Sequence, residues 1–172
     1  MGGQEMRLSP EQREGLLRDL WFRQDGRWFL KVSQEYGFAE ATRLNLLVVE
    51  SFSRSEAALL MQQAGIDGVA DAQELAAFLR LAGEVFFPPE HQQEFQVLAG
   101  GLVRGRAWHC FLHRHLRQAG TTQIHQCGAQ TRFAAWLQAL GLQGRVEAKG
   151  QSATCQGSCE ILFHVEWPEE KT

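Results

Sequence analysis

Four cysteines carry the clearest chemical signal in this chain: Cys110, Cys127, Cys155 and Cys159, with none in the first 109 residues. Cys155 and Cys159 flank Gln156-Gly157-Ser158, a short Gly-containing stretch that predicts a hairpin turn and would set the two thiols opposite each other on one sheet face. Cys127 precedes a predicted helix, where free N–H groups favour a thiolate. Thiolates are what a soft metal or a nucleophilic mechanism requires, so a converging set would suit zinc or iron. The alternative is that these are small buried hydrophobes. Cys110 alternates with Trp108 and Leu112, which favours that plainer role for it.

Other titratable residues could join the set. His125 stands two residues before Cys127, and Glu147 lies on the strand leading to Cys155, in phase with it. Either would serve as a further ligand or as an acid or base. His109, His113 and His115 would share one face of a predicted strand. With Arg104, Arg106, Arg114 and Arg117 nearby, that face reads as a polar or anion-binding strip. His164 is expected on the hairpin face opposite Cys159. Glu50 has Arg54 one turn on, whereas Glu56 has no basic residue at i+4. Trp21, Trp28 and Phe29 around Asp25-Gly26, with Asn45, are candidates for an apolar ligand pocket. The simpler reading of the three aromatics is a core between two helices.

These residues need elements to position them. Ser9-Pro10-Glu11-Gln12 is a helix start, followed by Leu16, Leu17, Leu20 and Trp21, with a break expected at Asp25-Gly26. A second helix is expected to end near Gly37, a third to run over about 39–65, and a fourth over about 71–85 before Pro88-Pro89. Strands are expected around Phe95 and Val97 and over 102–116, then a helix over 128–140. A hairpin of 145–155 and 159–167 follows. The fold class is α+β: a helical N-terminal half, then a small antiparallel sheet with one packed helix and a C-terminal hairpin. One domain spans 1–172, with a helical half over 9–87 and a β-rich half over 94–167 holding all four cysteines.

Composition sets limits. At 172 residues, 44% hydrophobic and 22% charged, the chain is an ordinary globular protein. A net charge of -3 argues against a nucleic-acid partner. No apolar run approaches a membrane span and no signal peptide is evident, so a cytoplasmic location is expected. The oligomeric state is open, a homo-oligomer included.

The stretch Asp25-Gly26-Arg27-Trp28-Phe29, with Gly37, Ala41, Asn45 and Glu56-Ala57, resembles the N-terminal half of a family of small cytosolic prokaryotic proteins without an assigned function. Cys110, Cys127, Cys155, Cys159 and Phe163 resemble its C-terminal half. More distantly, the chain is similar to the L-2-amino-thiazoline-4-carboxylic acid hydrolase family and to the 4-vinyl reductase domain, a small-molecule sensor module. The latter resemblance implies a structural zinc on Cys127, Cys155 and Cys159 with Glu147. The hydrolase's catalytic residues have no matches here.

Three readings follow. The first is a small-molecule-binding or sensor-like domain with a cysteine-based zinc or iron site. The second is a thiol- or metal-dependent hydrolase of a small ring or amide, with Cys127 as nucleophile. The third is a non-catalytic protein with reduced, buried cysteines.

Overall fold

The computed structural model describes residues 7–118, 120–122, 126–149 and 155–167. The chain divides into two compact units, Met1–Ala41 and Thr42–Thr172. The fold class is α+β, as the sequence indicates.

The first unit is dominated by helix α1, Pro10–Tyr36. Its start follows the sequence signal. The Gln12 N–H donates to Ser9 Oγ at 3.2 Å and the Ser9 N–H to Gln12 Oε1 at 2.8 Å, a reciprocal capping box. The break expected at Asp25-Gly26 is absent, and the helix runs straight through it. A single interior Gly costs only about 1 kcal/mol, too little to end a helix of 27 residues. The real stop is Gly37, at φ 82, whose N–H bonds back to Ser33 O. Trp21 and Trp28 are 51% and 39% exposed, so they do not form the interhelical core that their apolar character suggested. Phe29 sets its ring edge-on against Phe38, with centroids 5.7 Å apart.

Helix α2, Phe38–Ala64, enters the second unit, which continues with α3, Ala72–Phe86. The Asp71 side chain caps α3 by accepting from the Gln73 and Glu74 N–H groups at 2.8 and 2.9 Å. Strands β1 (Gln92–Val97), β2 (Val103–His109), β3 (Gly144–Lys149) and β4 (Cys159–Val165) form an antiparallel sheet in the order β1-β2-β4-β3. Helices α4, Phe111–Gln118, and α5, Ala129–Ala139, lie between β2 and β3 in sequence.

Alternation along the strands separates two faces. Phe95, Val103, Gly105, Ile161, Phe163 and Val146 point into the core. Gly105 is required there, because a Cβ would stand 2.7 Å from the Phe95 ring. Phe133 of α5 meets Phe163 at 5.3 Å and Trp136 at 5.2 Å, and Trp136 meets Phe78 of α3 at 6.3 Å. The outer face bears a cross-strand row of alternating charge, Glu94, Arg106, Glu160 and Lys149, which keeps that face solvated.

Two expectations about the β-rich half need correction. The strand expected over 102–116 ends at His109, and α4 begins at Phe111. His113 and His115 are therefore helical and do not share a strand face with His109. The hairpin register pairs Lys149 with Glu160, a register that does not bring Cys155 opposite Cys159. Cys155 and Cys159 are not cross-strand neighbours.

Candidate functional site

Each cysteine sits at an element boundary. Cys110 links β2 to α4. Its N–H donates to Gly157 O at 3.0 Å, and its thiol accepts from the N–H groups of His113 and Leu112 at the start of α4. Cys127 stands just before α5 and accepts from the Ala129 N–H. Cys155 precedes β4 and accepts from the Gly157 N–H at 3.4 Å. Cys159 opens β4 opposite Ala107, whose N–H reaches its sulfur.

The thiols lie near enough to feel one another's charge. The Cys159 thiol is influenced electrostatically by Cys127, Cys110 and Cys155, and Cys127 in turn by Cys110 and Cys155. Burial is the main cause that pushes the Cys110 and Cys127 thiols upward, and it takes Cys159 to about 12. The neighbouring thiols add to the effect, since nearby like charges resist ionisation. All four cysteines are free. Among the described residues, no group of three or more His, Cys, Asp or Glu could hold a metal ion.

Gly157 lies in the middle of this set. It bonds to both Cys110 and Cys155, and a Cβ on it would stand 2.8 Å from His113 Nδ1. Its φ of 81 also favours glycine. Cys110, a candidate for either a plain buried role or the metal set, feels the charge of Cys155 and is mainly shifted by burial.

Glu147 does not. It projects from the outer face of β3, while Cys159 points inward from β4. Its carboxylate meets His164 Nε2 at 3.3 Å, Arg145 at 3.4 Å and Lys149 at 3.9 Å, and His164 first among these holds its pKa low. His164 is on that outer face, as expected. His125 lies outside the described residues. The basic strip is also dispersed: Arg104 bonds Gln96, Arg114 bonds Glu90, and His109 meets Gln92 at 2.6 Å. Trp21, Trp28 and Phe29 belong to the first unit, and Asn45 lies on α2 in the second.

Sequence reasoning missed a buried polar group. Glu56, only 5% exposed, accepts from Trp136 Nε1 at 3.1 Å and has Arg132 Nε at 3.7 Å. The absence of a basic residue one turn beyond Glu56 was the available signal. The Arg132 guanidinium also stands over the Phe87 ring at 5.3 Å and exerts its charge on Cys127 and His91. His91 stacks on Phe87 at 4.6 Å, and burial lowers its pKa to about 4. A separate open concavity of about 600 Å³ lies at the sheet end, lined by Gly100, Gly101, Gly144, Arg145, His164 and Glu166 among others.

No protein-family model and no curated protein matches the chain. Among solved structures, it is similar to an H-NOX protein from S. oneidensis in the Fe(II)NO ligation state, at 16% identity and a TM-score of 0.46. That match covers 80% of this chain and 72% of the other. A triple mutant of an H-NOX protein from S. oneidensis, in the Fe(II) state, matches at 16% identity and a TM-score of 0.47, covering 84% and 73%. No residue role is carried over from either. Among the described residues, no helix is long and apolar enough to cross a membrane.

Proposed function

We propose that this chain is a small-molecule-binding, sensor-like domain in which Cys110, Cys127, Cys155 and Cys159 hold one structural zinc or iron ion. The observation that carries this reading is the shared neighbourhood of four thiols drawn from the β2–α4 junction, the start of α5 and the approach to β4. Sulfur is the donor type a soft metal prefers, but as placed the described thiols form no group of three that could hold an ion, so binding would require them to move together. The metal would supply cross-linking, tying two helix starts to the ends of the two central strands. Because ligands must lose their protons to bind, the ion would draw the thiols together and bring their pKa values down.

Four thiolates leave no open coordination position, which favours a structural role over a hydrolytic one. A nucleophilic Cys127 is also disfavoured, because burial raises its thiol pKa where catalysis needs it lowered. Small-molecule binding draws support from the concavity at the sheet end, whose size lies within the usual range for ligand sites. Arg145, His164 and Glu166 would orient a polar ligand there. Elemental analysis of protein purified under reducing conditions, without an affinity-tag metal, tests the site. Close to one zinc or iron per chain, lost in Cys110→Ser and kept in Glu147→Gln, is the expected result. Metal-free wild-type protein that takes up none when titrated would refute it.

A further inference from the structure

Two of the four cysteines are joined through a single residue. Gly157 accepts the Cys110 N–H on its carbonyl at 3.0 Å and donates its own N–H to Cys155 Sγ at 3.4 Å. The segment that carries Cys155 is thereby laid along the β2–α4 junction that carries Cys110, with the bare backbone of Gly157 as the bridge. Both thiols are free, and Cys155 is near enough for Cys110 to feel its charge.

The two positions differ in freedom. Cys110 stands between β2 and α4, and its sulfur receives the N–H groups of Leu112 and His113. Cys155 belongs to neither helix nor strand, and its neighbours Gln156 and Ser158 are exposed. A small oxidant can therefore reach the Cys155 side of the pair from solvent. A disulfide needs Cα atoms within about 7 Å and Cβ atoms that point together, and a position outside helix and strand can move to meet a fixed partner. Cys159 is less free, because the ladder holds it opposite Ala107 at the start of β4.

We propose that Cys155 and Cys110 form a peroxide-oxidised pair, in which Cys155 is attacked first and Cys110 resolves it to a disulfide. In the first step the Cys155 sulfur takes one oxygen from a hydroperoxide. The O–O bond breaks, and the other oxygen leaves as water or an alcohol with the thiol proton. In the second step the Cys110 sulfur displaces the hydroxyl of that sulfenic acid, so that an S–S bond forms and water departs. Two electrons pass from the two thiols to the hydroperoxide. The disulfide consumes two of the four sulfurs, so a bound ion would be released. Only this last consequence rests on the metal site proposed above.

The test treats the full chain, reduced and metal-free, with hydrogen peroxide, then blocks the remaining thiols. Mass spectrometry of unreduced peptides, with fragmentation, places any link. The expected product is a disulfide between Cys110 and Cys155 that a thiol reductant reverses. It should persist in Cys159→Ser. In Cys110→Ser it should be absent, with Cys155 carried on to the sulfinic acid. Because the link is placed in the wild-type chain, the assignment does not depend on how the variants fold. A link between any other two cysteines, Cys155 sulfinic acid in the wild type without a link, or four thiols left unoxidised overturns the proposal. Zinc-loaded chain should release its zinc to a chromogenic chelator in step with the disulfide. A chain that forms the disulfide but takes up no zinc supports the pair and refutes the metal site.

Discussion

Replacing Trp136 by Phe isolates the contribution of the buried Glu56–Trp136 hydrogen bond. Trp136 is fully buried, and its indole N–H donates to Glu56 at 3.1 Å. Phe retains an aromatic ring against Phe133 and Phe78 but has no donor. The carboxylate would then keep only Arg132, whose Nε stands at 3.7 Å, beyond good hydrogen-bond length. A hydrogen bond to a charged acceptor contributes about 1.5–3 kcal/mol. Loss of the second indole ring adds about 1 kcal/mol for the space it leaves. The expected destabilisation is therefore about 3 kcal/mol. Urea unfolding followed by CD measures it, with an unchanged m-value showing that the denatured state is not altered. In a double-mutant cycle, Glu56→Gln should cost less in the Trp136→Phe background than in the wild type, with a coupling of about 1 kcal/mol or more. A loss below about 1 kcal/mol, or strictly additive substitutions, would refute the reasoning.

Further outcomes are expected. His91 is neutral when folded because burial lowers its pKa to about 4. The unfolded chain takes up that proton near pH ~6.5, so His91 contributes stability above that pH that is lost as pH falls toward 4. His91→Gln should flatten the stability curve in that window, as measured by urea midpoints against pH. The raised Cys110, Cys127 and Cys159 thiols should alkylate more slowly at pH 8 in metal-free protein than a peptide thiol does. Mass spectrometry of iodoacetamide-treated samples should find Cys159 among the slow sites. Because these thiols hold their protons more tightly when folded, metal-free protein should lose stability as pH rises from about 9 toward 12. Gly157→Ala should cost about 1–3 kcal/mol, from strain at φ 81 and the His113 contact, and should weaken metal retention in a chelator competition.

Much of the fold was legible because strong local signals agreed with tertiary packing. The Ser9-Pro10 start, the helix over about 71–85 and Pro88-Pro89 mark real helix limits, and Phe133, Trp136, Leu137 and Leu140 face the core as their spacing implies. The β2–α4 boundary was not legible. Between His109 and Leu116 the sequence fits both periods, since alternating histidines suggest a strand while Phe111, Leu112, His115 and Leu116 fit a helix. The structure ends β2 at His109 and starts α4 at Phe111, and periodicity alone does not display that switch. The cysteine set was visible as four residues of one type in one half of the chain. The separation of Glu147 from that set was not, because strand register sends Glu147 outward and Cys159 inward. The Glu56–Trp136 contact spans 80 positions, so only an unmatched acid on an apolar helix hinted at it.

The proposed metal site requires the four thiols to act as one ligand set. Titrating reduced, metal-free protein with Co(II), with visible absorption and released protons recorded together, tests that claim. The account predicts saturation at one Co(II) per chain, thiolate-to-metal charge transfer with the intense bands of a tetrahedral sulfur site, and proton release that accompanies binding. Cys110→Ser should weaken this spectrum and Glu147→Gln should leave it intact. Saturable uptake without thiolate bands, or a full spectrum that survives loss of Cys110, would contradict it.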